Sequence, residues 1–371
     1  MRQLRIRIVG GSMGGLFAAA LLHQDGHDVR VYERSPASLA GRGAGLVAQR
    51  DLFTLLRRIG CEHVARLGVP AFERIHLDRD GAVARRQDMP QTQISWDRLY
   101  RTVRARVPDE DVLPGRVARA AAQDARGARI LFEDGGADDA DLLIGADGLG
   151  SVVREAVTGR PSPNRYAGYV AWRGLIPERA LPATAHLLLD RFTFYTAPQS
   201  HALGYLVPGV EAQIEAGERR YNWVWYRRVP AEALAAILTD DLGRGHPYSL
   251  APGQLPGAVA AGLRHDAARL LPPQFAAAIA AEPRPFVQAI FDYEAPVMAH
   301  GRIALLGDAA FVARPHTAMG IAKAAGDAMA LQRCLAAADD VPAGLAAYAR
   351  DRQQVGADIV AYGRRLGTMM E

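Results

Sequence analysis

The segment Leu4–Gly15, LRIRIVGGSMGG, runs directly into an apolar stretch that ends near Leu22. The apolar side chains of Leu4–Val9 predict a short buried strand, and the stretch after the glycines predicts a helix. The glycines therefore occupy a strand-to-helix turn, the context in which a glycine-rich sequence binds the pyrophosphate of a dinucleotide. The segment predicts an α/β fold that begins with a Rossmann-like unit.

Each position of this turn has an expected role. Gly10 can adopt the tight turn, and Gly15 lets the helix and the strand pack closely. Ser12 stands where G-x-G-x-x-G has its second glycine, so it adds a Cβ near the phosphates together with a hydroxyl that can bond them. Met13 and Gly14 belong to the first helical turn, whose N–H groups and dipole attract a pyrophosphate.

A second strand, Val29–Glu33, ends in a carboxylate about 20 residues after the glycines, the spacing used for ribose recognition. A carboxylate at this position favours an unphosphorylated ribose, so FAD or NAD fits as the tightly held nucleotide and NADP does not. Arg34 follows directly as a further candidate contact.

Two more signatures follow buried strands. Leu142–Ala146 leads into Asp147 and Gly148, with Ser151 and Arg154 beyond them, and ligands of open α/β sheets lie at this end of strands. Taken alone, Ser151 and Arg154 are explained equally well as a helix cap and a surface charge.

The third signature follows the strand Arg302–Leu306. It consists of Gly307-Asp308 and then Arg314-Pro315-His316, with Gly320 just before a helix whose positive end points at the loop. The Asp308 carboxylate can accept hydrogen bonds from a polyol. Each signature is weak alone, and their fixed order is what makes them informative.

In this order the three signatures resemble the single-component, FAD-dependent aromatic hydroxylases, which share the fold of para-hydroxybenzoate hydroxylase. Tyr166–Gly174, YAGYVAWRG, carries the resemblance into the middle of the chain. The likeness extends over nearly the whole sequence. It implies a Rossmann-like FAD-binding domain, a second, largely antiparallel β-sheet domain for the substrate, and C-terminal helices.

The same resemblance implies an FAD site built from all three signatures. The first turn and Glu33 would hold the ADP half, Asp308 the ribityl chain, and the Pro315–Gly320 loop would lie beside the isoalloxazine. Asp147 and Arg154 match a motif that serves both FAD and NAD(P)H. The implied cofactor contacts are Gly10, Ser12, Met13, Gly14, Gly15, Glu33, Arg34, Arg42, Gly43, Gly45, Arg98, Asp147, Arg154, Gly307, Asp308, Pro315, Ala318, Met319 and Gly320.

Two departures from the family pattern concern the same site. Trp96 stands where most relatives have an arginine that reaches the phosphate side of the flavin, and Arg98 or Arg42 would have to replace it. Ala318, Met319 and Ala322 stand where many relatives have Gly, Gln and Asn.

The chemistry implied by the resemblance is ring hydroxylation of a small electron-rich aromatic, such as a hydroxypyridine. NADH or NADPH serves as transient reductant and O2 as co-substrate, through a C4a-hydroperoxyflavin. Ring hydroxylation needs a polarised substrate hydroxyl, which makes His316, Tyr205 and Arg173 the catalytic candidates. His201 and Tyr226 are further candidates, and a purely structural role fits each of these five as well. Arg314 could bind an anionic substrate or the reductant, or it could merely pair with a carboxylate.

Two segments without nucleotide signatures interrupt the predicted FAD domain. This domain is therefore expected to be discontinuous and to comprise residues 1–71, 95–160 and 284–338. Residues 72–94 and 161–283 form the substrate domain, with aromatic-rich alternating strands. Residues 339–371 form a C-terminal helical segment that packs on the core or makes a homodimer contact.

Composition excludes other classes. The 371 residues, 49% of them hydrophobic, carry a net charge of +4 with scattered arginines, which disfavours nucleic-acid binding. Cys61 and Cys334 lie far apart, which favours a reducing cytoplasm and no metal site. The glycines and Arg7 interrupt the first apolar stretch, so it predicts neither a secretory signal nor a membrane anchor. A flavin-dependent oxidase or dehydrogenase and a non-catalytic flavin redox sensor remain as alternative functions.

Overall fold

The computed structural model describes residues 3–39 and 45–368, which form a mixed α/β fold around four β-sheets. The helices are α1 Met13–Gln24, α2 Arg50–Arg58, α3 His63–Arg66, α4 Trp96–Arg104, α5 Arg154–Thr158, α6 Ala231–Ile237, α7 Gly257–Leu270, α8 Pro273–Ala280, α9 Gly320–Ala336 and α10 Val341–Gly367. The strands are β1 Arg5–Val9, β2 Asp28–Glu33, β3 Gly45–Val47, β4 Val69–Ala71, β5 Glu73–Leu77, β6 Val83–Gln87, β7 Gln91–Ser95, β8 Val112–Pro114, β9 Ala118–Gln123, β10 Ala128–Phe132, β11 Ala137–Ala140, β12 Leu142–Gly145, β13 Arg165–Pro177, β14 Arg191–Ala197, β15 Ser200–Val207, β16 Arg220–Arg228, β17 Ser249–Leu250, β18 Phe286–Asp292, β19 Ala299–His300 and β20 Ile303–Leu305.

The first sheet has six strands in the order β19-β20-β12-β1-β2-β8. β1 pairs in parallel with both β2 and β12, and β12 pairs in parallel with β20. Parallel strands end at one edge, so the residues that follow β1, β12 and β20 lie side by side there. The three sequence signatures therefore meet at one sheet edge, and the predicted Rossmann-like unit is confirmed.

The second sheet has eight strands in the order β17-β18-β13-β16-β15-β14-β5-β6 and is antiparallel except where β14 pairs with β5. Its two faces differ. One face packs on α7 and α8 in an apolar core that includes Trp172, Trp223 and Trp225. The opposite face carries Tyr169, Ala171, Val224 and Tyr226, and farther along Tyr205 and Val207. This opposite face is called the tyrosine face below.

One predicted domain boundary is wrong. We expected the FAD domain to resume at residue 284, but β18 pairs with β13 in the eight-stranded sheet through Phe286–Asp292. The chain returns to the first sheet only with β19 and β20. The strand is a short alternating run between α8 and β19, so sequence alone did not distinguish which sheet it joins. The other predicted boundaries stay predictions.

The C-terminal segment, expected to be helical over residues 339–371, contains the long helix α10, which packs against α9. Proline at its first turn and the Asp340 side chain, which accepts a hydrogen bond from the Ala343 N–H at 2.8 Å, define its start. Within residues 3–39 and 45–368, no helix is long and apolar enough to cross a membrane.

Candidate active site

A cleft of about 530 Å³ opens at the edge where the three parallel strands end. It extends from the first turn and the end of β2 to the loop after β12, and reaches Gln288 on the tyrosine face. Among the predicted cofactor residues, Gly10, Ser12, Glu33, Arg34 and Asp147 line it. The cleft therefore connects the nucleotide signatures with the second sheet.

The first turn has the backbone geometry that its glycines predict. Gly10 has φ +110°, and a Cβ there would overlap the Ala146 carbonyl oxygen. A Cβ on Gly15 would overlap the Gly10 carbonyl oxygen, so only glycine permits this approach of α1 to β1. Ser12 is the N-cap residue of α1, but its hydroxyl makes no capping bond in the part of the chain that is described. The hydroxyl is thus available to a phosphate.

Glu33 is fixed by two backbone N–H groups. The Gly11 N–H donates to Oε2 and the Ser35 N–H to Oε1, each at 2.8 Å. These bonds hold the carboxylate at the end of β2, beside the glycine turn. This is the position in which a carboxylate accepts hydrogen bonds from a ribose.

Arg154 is a clamp between the second and third signatures. Its Nε donates to the Ala309 carbonyl and its Nη2 to the Asp308 carbonyl, both at 2.7 Å. Its Nη1 donates to Leu149 O, and the guanidinium lies 3.5 Å from the Tyr293 ring centroid. The side chain is buried, so the alternative of a surface charge is wrong, while its contact with FAD or NAD(P)H stays a prediction. Its sequence neighbour Ser151 does not cap α5, which begins at Arg154 itself.

Of the two signature carboxylates, Asp147 lines the cleft and is half-buried, whereas Asp308 is exposed and lies outside the described residues that line it. Desolvation by the surrounding protein raises the pKa of each. Asp147 Oδ2 accepts the Val152 N–H at 2.7 Å, which anchors the loop after β12. Asp308 has exposed surface, which a polyol can reach.

A buried charge network behind Asp308 was missed from the sequence. Lys323, the only lysine in the sequence, lies on α9 with its Nζ 3.4 Å from Asp327 Oδ2. Asp327 also pairs with Arg352 Nε at 2.9 Å and accepts the Gly307 N–H at 3.1 Å. A single lysine among 44 basic residues was a signal that could have drawn attention to it.

The loop from Pro315 to Gly320 forms one 3-10 turn and then leads into α9. Ala318 has φ +55°, a left-handed conformation that favours glycine, which many relatives have here. The Gln49 side chain donates to the Ala318 carbonyl at 2.8 Å, so the segment after β3 lies against this loop. The Met319 N–H donates to Thr317 Oγ1 at 3.2 Å.

His316 lies between the loop and the tyrosine face. Its ring centroid is 6.4 Å from that of Tyr169 and 5.7 Å from that of Tyr226. Its Nε2 is 3.1 Å from the Gly363 carbonyl oxygen. A carbonyl only accepts, so Nε2 carries the proton and Nδ1 keeps a lone pair. Burial lowers the pKa of His316, which keeps the ring neutral near pH 7.

Arg314 is committed to the protein itself. It makes a two-point ion pair with Asp292, from Nε to Oδ1 at 2.7 Å and from Nη2 to Oδ2 at 2.6 Å, and donates to the Tyr169 hydroxyl. Burial by itself would raise the pKa of Asp292, but the bonds from Arg314 outweigh it and hold this pKa below its ordinary value. Of the two roles considered for Arg314, pairing with a carboxylate is the observed one.

Arg173 and Trp172 project to opposite faces of the sheet. Trp172 belongs to the apolar core, whereas Arg173 lies on the tyrosine face and donates through Nη1 to Gln288 Oε1 at 3.2 Å. The Tyr205 hydroxyl donates to the Gly45 carbonyl at 3.0 Å. Burial raises the pKa of Tyr205, and the nearby charge of Arg173 opposes that shift.

His201 lies on the same face, 6.0 Å between ring centroids from Tyr226. Burial, with smaller contributions from His316 and His76, lowers the pKa of His201 to about 4. Burial disfavours the charged form of Tyr226 as well, and this raises the pKa of its hydroxyl. His316, His201, Tyr226, Tyr205 and Arg173 are thus brought together around one surface, and Arg314 stands behind it.

Three further predicted cofactor contacts are Arg98, Arg42 and Gly43. Arg98 is not among the described residues that line the cleft, and its place is taken by Trp96, which stacks on Tyr100 with 5.1 Å between ring centroids. Arg42 and Gly43 lie outside the described residues. Their contacts to a flavin stay predictions.

A family model described as "FAD binding domain" matches residues 3–223 and 287–362. The 2,6-dihydroxypyridine 3-monooxygenase of Paenarthrobacter nicotinovorans is 34% identical over 95% of this chain and 88% of that protein. The 6-hydroxynicotinate 3-monooxygenase of Pseudomonas fluorescens is 28% identical over 89% of this chain and 82% of that protein.

Solved structures of two proteins are also similar to this chain over nearly its whole length. The 2,6-dihydroxypyridine-3-hydroxylase from Arthrobacter nicotinovorans aligns with a TM-score of 0.92 and 30% identity, over 99% of this chain and 93% of that one. Klebsiella pneumoniae HpxO, complexed with FAD and uric acid, aligns with a TM-score of 0.76 and 25% identity, over 97% of this chain and 87% of that one.

Proposed function

The chain belongs to the FAD-binding family of flavin-dependent aromatic-ring monooxygenases, and on this premise we propose that its substrate is a hydroxypyridine of the 2,6-dihydroxypyridine type. NADH or NADPH is the transient reductant and O2 the co-substrate. The observation that carries the substrate class is a relative at 34% identity that acts on this ring, together with a polar, aromatic-lined surface at the end of the cleft.

The residues of the cleft fit FAD. Gly10 and Gly15 allow the close backbone packing that shapes the turn, Ser12 makes no capping bond with its hydroxyl, and Glu33 stands where a ribose binds. Asp308 is open to a polyol, and the start of α9 follows the Pro315 loop. When bound, FAD supplies the activation of O2 that allows one oxygen atom to enter an electron-rich ring.

His316 is the group that activates the substrate in this proposal. Its Nδ1 lone pair can take the proton of a ring hydroxyl, and the resulting oxyanion makes the ring more nucleophilic. The Gly363 carbonyl fixes the tautomer that this requires. Arg173, on the same face, offers a positive charge to the oxyanion.

We place the protein in the cytoplasm because both cysteines, Cys61 and Cys334, are unpaired thiols, which fits a reducing compartment. Exposed Val355 and Tyr362 on α10 give an apolar surface for the homodimer contact that we considered from the sequence.

The first experiment follows NADH and NADPH oxidation by the FAD-loaded protein, with and without 2,6-dihydroxypyridine, and analyses the product for added oxygen. We expect strong stimulation by the substrate and a product that contains one atom from 18O2. Turnover without NAD(P)H would indicate an oxidase, and bound FAD with no stimulated reduction would indicate a redox sensor.

A further inference from the structure

We propose that Asn222 is a specificity-determining residue whose side-chain amide pairs with the lactam edge of the substrate, the ring N–H and the adjacent C=O of the pyridone tautomer. The inference rests on the proposed function and adds the group that reads the ring nitrogen. The Asn222 amide would make the protein bind a hydroxypyridine more tightly than a phenol of the same shape.

The position of Asn222 follows from strand register. It lies opposite Leu175 of β13 on one side and Tyr205 of β15 on the other. Residues directly opposite one another in a sheet share a face. Its sequence neighbours Tyr221 and Trp223 belong to the apolar core with α8. Successive side chains alternate, so Asn222 projects from the tyrosine face, where Tyr205 also lies.

Both polar atoms of this side chain lack a hydrogen-bond partner within the described residues. Asn222 is 0% exposed, yet neither Nδ2 nor Oδ1 is bonded. A buried carboxamide without partners costs free energy, so native structures retain one where a ligand or water completes it. Since both the donor and the acceptor are unpaired, the missing partner has to offer one acceptor and one donor side by side.

A second unpaired group lies nearby on the same face. Arg173 stands opposite Val224, the next residue on this face after Asn222 in β16, so the two are diagonal neighbours. Its buried Nε has no partner in the described part of the structure, although Nη1 bonds Gln288. A positively charged donor thus lies beside the buried carboxamide of Asn222, with Tyr205 and Leu203 on the same face.

The pyridone tautomer of 2,6-dihydroxypyridine matches this arrangement. Its ring N–H can donate to Oδ1 of Asn222 while the adjacent C=O accepts from Nδ2, and the second ring oxygen, once deprotonated, can bond Arg173. A carbocyclic ring cannot donate from the nitrogen position. Buried polar groups left unpaired by such an analogue penalise its binding strongly.

The test compares 2,6-dihydroxypyridine with resorcinol, the same ring with carbon in place of nitrogen. Dissociation constants are measured by the change in flavin absorbance of the FAD-loaded protein, for the parent and for Asn222→Leu. We expect the preference for the pyridine ring to fall at least tenfold in Asn222→Leu, with the melting temperature unchanged or higher because an unpaired amide has been removed.

Leu175→Ala is the matched control, because it changes the shape of the same surface without a hydrogen bond and should shift both constants alike. An unchanged preference ratio in Asn222→Leu overturns the inference, as does a lower melting temperature with an unchanged ratio, which would identify Asn222 as a structural residue bonded to water. A parent protein that binds 2,6-dihydroxypyridine without hydroxylating it, and still loses the preference in the variant, would refute the proposed function while supporting this subsite.

Discussion

The cofactor cleft and the tyrosine face differ in how their polar groups are bonded. In the cleft and behind it, Glu33 is bonded to two N–H groups, Arg154 to four backbone carbonyls, and Asp327 to two cations and an N–H, while one oxygen of Asp147 has no partner in the described residues. On the tyrosine face, Asn222 and the Nε of Arg173 are buried among aromatic rings without a partner in the described residues.

This difference separates two ways of building a site. The cleft is rigid before anything binds, which suits a cofactor that stays through many turnovers. The tyrosine face stores unpaired hydrogen-bonding capacity, which only a passing ligand of the right pattern can satisfy. Changes in the cleft should therefore cost stability, whereas changes on the tyrosine face should alter chemistry and pH response.

The largest effect is expected for Asp327→Ala in the network behind the cleft. The change leaves Lys323 and Arg352 as buried, uncompensated charges, and breaking a buried pair costs about 3–5 kcal/mol. Urea unfolding of the FAD-free protein measures this loss in the free energy of unfolding. Asp139→Ala removes the exposed partner of Arg129 and serves as control, with little change expected. Equal losses in both variants would contradict the idea that the cleft is braced by this network.

The second effect concerns His316. We expect His316→Ala to lower substrate-stimulated hydroxylation by about 100-fold or more, the usual contribution of a general base. Retention of the parent rate would contradict its catalytic role. His316→Gln keeps an N–H donor for the Gly363 carbonyl but lacks the Nδ1 base, so it separates the two roles. If the glutamine variant has the parent rate, the role of His316 is only the structural hydrogen bond to the Gly363 carbonyl of α10.

The cleft was predictable from the sequence and the tyrosine face was predictable only in part, for a physical reason. Gly10 and Gly15 report a backbone conformation directly, because few other residues fit there. The partners of a guanidinium come from distant segments. The bonds of Arg154 to the third signature and the Arg314–Asp292 ion pair could therefore not be predicted from the sequence. Asn222 had one signal, since it alternates with Val224 and Tyr226 in an aromatic-rich strand.

The third effect is a pH dependence that originates on the tyrosine face. Because the folded state lowers the pKa of His201 to about 4, the unfolded chain binds the proton more readily, and stability falls as pH drops below about 6.5. Between pH 6.5 and pH 5 this amounts to about 2 kcal/mol. His201→Gln should flatten the pH dependence of urea unfolding by that amount, whereas a change at the exposed His63 should leave it unaltered. Parallel curves for parent and His201→Gln would show that this burial does not penalise the proton.

The smallest effect lies where the cleft meets the tyrosine face, at Ala318. A left-handed conformation costs a non-glycine residue about 1–2 kcal/mol, while glycine gives back about 0.5–1 kcal/mol through the entropy of the unfolded chain. Ala318→Gly should therefore raise stability by about 0.5 kcal/mol, measured by thermal unfolding. Ala346→Gly, in the regular interior of α10, is the control and should cost about 1 kcal/mol. If both changes lower the melting temperature by similar amounts, Ala318 does not hold the left-handed conformation in solution. The loop that carries His316 would then not share the rigidity that we assign to the cleft.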